Sequence, residues 1–213
     1  MLKEILGNIT IFCHSAIKFE KEKIYFDPFK LKEEYHDANI IFITHDHYDH
    51  FSKEDILKVK KEDTKIVLTK DMYDKAIELG FKEEDILVVY PNREYELNHI
   101  KIKTIPAYNH NRTYHPKAMK WVGYLIHIGK DSYYIAGDTD ITEENSEVRC
   151  KTAFLPVGGI YTMDYKEAAR LANILCPKYV IPIHYGCIVG TKEDAKQFSE
   201  LLNPSIICCF KIK

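Results

Sequence analysis

The sequence has no long apolar run, no paired-cysteine motif and almost no net charge, and each absence removes a class of protein. No stretch of the 213 residues approaches the uninterrupted apolar length, about 20 residues, that a bilayer-crossing helix needs. The opening Met1-Leu2-Lys3-Glu4-Ile5 lacks the apolar core of a secretion signal, so the expected location is cytoplasmic. Thirty Lys and Arg against thirty-two Asp and Glu leave a formal charge of -2. No whole-chain basic field is present to recruit nucleic acid or an anionic membrane. The six cysteines (Cys13, Cys150, Cys176, Cys187, Cys208 and Cys209) include no C-x-x-C pair, which argues for reduced thiols over a zinc ribbon or a disulfide framework. Cys208 and Cys209 lie in the apolar run from Ile206 to Phe210, where strand alternation sends neighbours to opposite faces and so disfavours a shared metal. Repeats, low-complexity tracts and flexible linkers are missing as well.

What remains is an ordinary globular composition, 46% hydrophobic and 29% charged, in a chain whose length favours one domain spanning residues 1–213. Short β-rich runs come first: Ile9 to Cys13, Ala16 to Phe19, Lys23 to Phe26, Ile40 to Thr44, Lys65 to Leu68 and Ile86 to Val89. Lys53 to Lys60 and Asp71 to Leu79 carry apolar residues at helical spacing, the second stopped by Gly80. Ile100 to Ile105 is a further strand, and Trp121 to Ile128 with Ser132 to Ala136 reads as a hairpin turning at Gly129-Lys130-Asp131. Ala153 to Val157, Tyr165 to Leu175 and Tyr179 to Ile183 form a βαβ unit, with Asp164 and Glu167 at capping-box spacing. A helix from Lys192 to Leu202 and a strand from Ser205 to Phe210 close the chain. The polar and aromatic stretch from Pro106 to Lys120 fits neither pattern, and long irregular segments inside domains are often functional.

Chemistry concentrates at Thr44-His45-Asp46-His47-Tyr48-Asp49-His50, directly after the apolar run Ile40 to Ile43. A buried strand ending in so many ionisable groups is costly unless something satisfies them, and a bound cation does so. Imidazoles with a carboxylate suit Zn²⁺, Mn²⁺ or Fe²⁺. Alternation past the strand end turns His45 and His47 to one side and leaves Asp49 and His50 facing another, which suits two adjacent ions.

The run Thr-His-x-His-x-Asp-His resembles the signature of the metallo-β-lactamase superfamily, and further motifs in order extend the resemblance over nearly the whole chain. It implies an α/β fold, a four-layer αββα sandwich of two mixed sheets flanked by helices, with metals at one edge. It also implies a ligand set: His45, His47 and His110 on one metal, Asp49, His50 and His184 on the other, and Asp138 bridging them. His115 competes with His110 in the same loop, and Asp140 reads as a turn or cap residue. Ile11-Phe12-Cys13-His14-Ser15-Ala16 and Tyr25-Phe26-Asp27-Pro28-Phe29 are similar to the opening of a branch that contains ascorbate phosphate lactonases and many uncharacterised hydrolases. His14 and Asp27 would then lie near the metal edge, either in the site or merely supporting a turn, and Cys187 follows His184-Tyr185-Gly186.

Function is expected to be dinuclear metal-dependent hydrolysis of a small ester, lactone or phosphodiester, with zinc the foremost metal. Asp49 and Asp138 would be the catalytic carboxylates, holding and orienting the attacking water. Arg112, Tyr114, His115 and Lys117 would meet the substrate, the two cations taking an anionic group. Nuclease action and di-iron redox chemistry are the competing classes; the near-neutral charge weighs against the first.

Overall fold

Buried β-branched and aromatic residues set the strands of two mixed sheets in the computed structural model, which describes residues 7–211. The chain divides into two compact units at residues 89 and 90, and each unit holds one sheet.

The first unit carries β1 (Ile9–Ile11), β2 (Ile17–Phe19), β3 (Ile24–Phe26), β4 (Ile40–Phe42), β5 (Lys65–Thr69) and β6 (Ile86–Val89), in that order across the sheet. β1, β2 and β3 pair antiparallel, and β3 through β6 pair parallel. β2, β3 and β4 are buried at every position, which is why β3 and β4 read as continuous apolar runs and not as alternation. Helices α1 (Lys53–Val59) and α2 (Tyr73–Glu78) connect the parallel strands. Ile56, Val59 and Ala76 from these helices join Tyr25, Ile41, Ile43, Ile66 and Leu68 in one core. β2 carries a charged residue into this framework: buried Lys18 lies 3.1 Å from Asp37 Oδ2, while Asp37 Oδ1 accepts from Tyr25 Oη at 2.6 Å.

The second unit carries β7 (Glu94–Leu97), β8 (Ile100–Pro106), β9 (Val122–Ile128), β10 (Asp131–Ile135), β11 (Thr152–Pro156), β12 (Tyr179–Ile183) and β13 (Ile207–Cys208). They run in order from β7 at one edge to β13 at the other. β7 to β10 pair antiparallel and β10 to β13 parallel, so the expected hairpin is β9–β10 and the expected βαβ unit is β11, α4 (Tyr165–Leu175) and β12. The Asp164–Glu167 capping box opens α4, whose Ala168, Leu171, Ala172 and Leu175 are buried. The short α3 (Glu143–Ser146) and the edge strand β7 have no counterpart in the sequence reading. Four residues give too little periodicity to recognise α3, and Glu94-Tyr95-Glu96-Leu97 has the charged composition of an edge and not of a core. α5 (Lys192–Glu200) behind the Thr191 cap completes the unit. Among the described residues, no helix is long and apolar enough to cross a membrane.

In both sheets the residues singled out for chemistry follow strand ends: Asp27 follows β3, the Thr44–His50 run follows β4, Asp138 follows β10 and His184 follows β12. Ligand sites in α/β sheets gather at the carboxyl ends of parallel strands, because those loops diverge and expose backbone and side chains together.

Candidate metal centre

In the first unit, the turn after β4 is closed by amides of His50 and Phe51 donating to the His47 carbonyl at 2.9 and 2.7 Å. This turn separates the ionisable residues by role. Asp46 points to Lys75 and accepts from its Nζ at 2.6 and 2.7 Å, and Tyr48 is exposed. His45 Nε2 and His47 Nδ1 face each other at 3.0 Å. Asp49 Oδ2 lies 3.1 Å from His14 Nε2 and 3.7 Å from His50 Nε2, and His14, Asp49 and His50 each offer a ligand atom within 4.8 Å of the others.

Behind them, Asp27 is fully buried and accepts three hydrogen bonds: Thr44 N at 2.8 Å, Thr44 Oγ1 at 2.7 Å and His50 Nδ1 at 2.7 Å. A carboxylate only accepts, so the His50 proton must sit on Nδ1, which in the neutral ring leaves the lone pair on Nε2. The same logic fixes His45. The Thr44 hydroxyl spends its one proton on Asp27, so it accepts from His45 Nδ1 at 2.9 Å and the lone pair again falls on Nε2. Partners of this kind orient metal-ligating imidazoles. His14 and Asp27 hold left-handed backbone, with φ of 57° and 44°, a conformation that aspartate and asparagine enter more readily than other residues besides glycine.

In the second unit, Asp138 Oδ2 lies 2.9 Å from His184 Nε2 and 3.4 Å from His115 Nε2, and all three residues are buried. The loop after β8 folds back on itself, Ala107 N donating to the Trp121 carbonyl and Asn109 N to that of His115. Asn109 donates from Nδ2 to Asp140 at 3.0 Å, which directs its Oδ1 at His115 Nδ1, 2.9 Å away. The proton on Nδ1 leaves Nε2 as the nitrogen facing Asp138. His184 has φ of 59°, and Gly158 runs so close that a Cβ there would stand 2.4 Å from the His184 carbonyl oxygen.

The donor set fits a divalent cation. In each unit, imidazole nitrogens and carboxylate oxygens converge at 2.9–3.7 Å. Tetrahedral ligands at zinc distances stand roughly 3.3 Å apart, so these spacings are close to edges of a coordination shell.

The loop residues separate from this cluster in a way the sequence does not reveal. His110 is exposed; its amide donates to Asp140 Oδ2 at 2.9 Å and its Nε2 meets the Ile141 carbonyl at 2.9 Å. The loop imidazole beside Asp138 is therefore His115, because Asp140 anchors the turn at Asn109 and His110 and the chain returns with His115 inward. His115 accordingly stands among the ligand candidates and not with a substrate-contacting group. Arg112 is bound to Asp140 and, at 3.2 Å, to Glu167. Lys117 pairs with Glu144 at 2.9 Å, while Tyr114 is exposed against the Tyr161 ring. Burial opposes ionisation of Glu144, but hydrogen bonds from Lys117 and Tyr108 outweigh it and hold the carboxyl below its usual range. His14 is the residue whose place in the cluster sequence reasoning did not assign; its signal was the opening motif Ile11 to Ala16, which left it either in the site or supporting a turn.

A family model described as a β-lactamase superfamily domain matches residues 8–184. The chain belongs to the metallo-β-lactamase superfamily. A UPF0173 metal-dependent hydrolase of Thermoplasma volcanium is 33% identical over 88% of this chain and 87% of its own length. The crystal structure of a protein described as a metal-dependent hydrolase from Parabacteroides distasonis superposes with a TM-score of 0.82 at 28% identity, covering 96% of this chain and 93% of the other. CmlA, a diiron β-hydroxylase from Streptomyces venezuelae, shares the fold alone: TM-score 0.75 at 13% identity, over 96% of this chain and 52% of that one. The α/β class with two mixed sheets and flanking helices is the one the sequence led us to expect.

Proposed function

We propose that the protein is a hydrolase dependent on two divalent metal ions, and that it acts on a small ester, lactone or phosphodiester. The observation that carries this reading is the proton bookkeeping at His45, His50 and His115, each of which has Nδ1 tied outward and so presents Nε2 to neighbouring donors. Membership of the superfamily and relatives described as metal-dependent hydrolases support it.

His14, His45, His47, Asp49 and His50 of the first unit, and His115, Asp138 and His184 of the second, are the donors that would be available to such ions. Bound ions of this kind supply Lewis acidity and lower the pKa of water toward neutrality, which makes hydroxide available as a nucleophile. The chain's own contribution is positional. Asp27 and Thr44 keep two imidazoles in the ligating tautomer, and Asn109 keeps a third. Asp49 and Asp138 would offer carboxylate oxygens to accept a water proton and orient the nucleophile.

Zinc suits the imidazole-rich set, and manganese or iron are the alternatives. The similarity of the opening motifs to phosphate lactonases puts lactones first among substrates, and a small, anionic molecule is the partner we infer. The test is metal analysis of wild type, His47→Ala and Asp138→Ala beside a hydrolysis screen of lactones and phosphodiesters. About two ions per wild-type chain, lost with activity in both variants, is the expected result. A folded wild type that hydrolyses its substrate equally well after complete chelation would overturn the reading.

A further inference from the structure

On the second unit, the other side of the segment that leads to His115 opens into a cavity of about 450 Å³. Tyr90, Tyr108 and Trp121 give it aromatic walls, and Arg93, Lys117 and Lys120 line it with positive charge. Among the described residues, no acidic side chain lines it. Lys117 is paired with Glu144, but among the described residues neither Arg93 nor Lys120 has a carboxylate partner.

The pocket is held in shape before anything binds. Buried Thr104 fastens the turn that carries Tyr90 and Arg93: its hydroxyl donates to the Tyr90 carbonyl at 2.6 Å and accepts from Arg93 N at 3.0 Å. Its amide also donates to the Arg93 carbonyl at 2.9 Å, and Tyr90 N donates to Tyr95 Oη at 2.9 Å. Opposite them, Lys120 sits in left-handed backbone at φ 59°. A lysine there costs stability that a glycine would not. Tyr90 is 47% exposed, an aromatic face left available beside two prolines.

We propose that this pocket binds a small organic anion, a phosphate or carboxylate carrying a flat ring, with Arg93 and Lys120 on the anion and Tyr90 against the ring. Charge-assisted donors on a fixed turn recognise the first part, and the exposed aromatic face recognises the second. The Trp121 ring lies 5.7 Å from that of His115, so the occupant sits next to the candidate metal centre on its own unit. Calling the bound molecule a substrate rests on the hydrolase reading above; its binding does not.

Trp121 is the sole tryptophan, so its fluorescence reports occupancy of the pocket. Metal-loaded protein would be titrated with phenylphosphonate, benzoate, benzyl alcohol and inorganic phosphate, and the titration repeated after chelation. We expect saturable quenching by phenylphosphonate or benzoate, weaker binding of benzyl alcohol and inorganic phosphate, and survival of the signal without metal. Arg93→Gln and Lys120→Gly should each weaken the anion about tenfold, the worth of one charge-assisted hydrogen bond. Lys120→Gly should at the same time raise the melting temperature, which separates lost binding from a damaged fold. Quenching by neither ring anion, unchanged affinity in both variants, inorganic phosphate binding as tightly as phenylphosphonate, or loss of binding on chelation would each overturn the proposal. A protein that passes these tests yet shows no hydrolysis would keep the pocket and lose the hydrolase reading.

Discussion

Asp27→Asn probes the logic of the centre more sharply than removal of any ligand candidate, because it changes a proton position and almost nothing in shape. Asp27 is wholly buried, and its left-handed backbone is one that asparagine tolerates well. Oδ1 takes the Thr44 amide, and Oδ2 takes both the Thr44 hydroxyl and His50 Nδ1 at 2.7 Å. An asparagine that keeps its oxygen on the amide puts an NH₂ where Oδ2 was, and that group opposes the His50 N–H. The ring escapes by moving its proton to Nε2, the nitrogen that faces Asp49. Two hydrogen bonds to an ionised acceptor, roughly 1.5–3 kcal/mol each, are lost, and part returns because a neutral amide is cheaper to bury. The net cost should be about 2–3 kcal/mol, within the usual 5–15 kcal/mol of a folded domain, so the variant folds. Metal affinity should fall further than stability suggests, by about 10–100-fold, as for other partners that orient a ligating histidine. Chelator competition measures the affinity, and urea unfolding of chelated protein measures the stability. Affinity within twofold of wild type, alongside the expected stability loss, would refute the assignment of the His50 tautomer.

Other consequences are equally open to measurement. His115→Ala should lower metal content while His110→Ala leaves it near the wild-type value, since only His115 faces Asp138; equal loss in both would place the loop differently. Gly158→Ala would set a Cβ 2.4 Å from the His184 carbonyl oxygen and 2.8 Å from Val189 Cγ2, forcing a shift worth about 1–3 kcal/mol that thermal unfolding would register. Burial resists ionisation of Asp37, but hydrogen bonds from Tyr25, Lys23 and Lys18 outweigh it, and its carboxyl titrates below the ordinary value. That depressed pKa contributes stability fully present above the ordinary carboxylate pKa and lost as the pH falls through the lower, folded value. The stability gap between wild type and Asp37→Asn should accordingly narrow on acidification, as urea unfolding across that range would show.

Much of this was written in local spacing. Strands such as Ile40–Phe42 and Tyr179–Ile183 declare themselves because both faces are buried, and α4 because its capping box and apolar face repeat within eleven residues. The dense run from His45 to His50 is legible for the same reason, since five histidines and aspartates in six residues directly after an apolar strand have few explanations besides a cation. What the chain could not announce depends on contacts between residues far apart in sequence. Whether His110 or His115 turns inward is decided by Asp140, some thirty residues away, whose carboxylate anchors the loop at Asn109 and at the His110 amide. Asp27 acquires its role only because β3 and β4 lie side by side and bring it to Thr44 and His50. Arg112, read from sequence as a hand for substrate, is spent on Asp140 and Glu167. Sequence alone determined which residue types are present and their local periodicity; tertiary structure decided which of them meet, because hydrogen bonds and ion pairs form between neighbours in space whatever their separation along the chain.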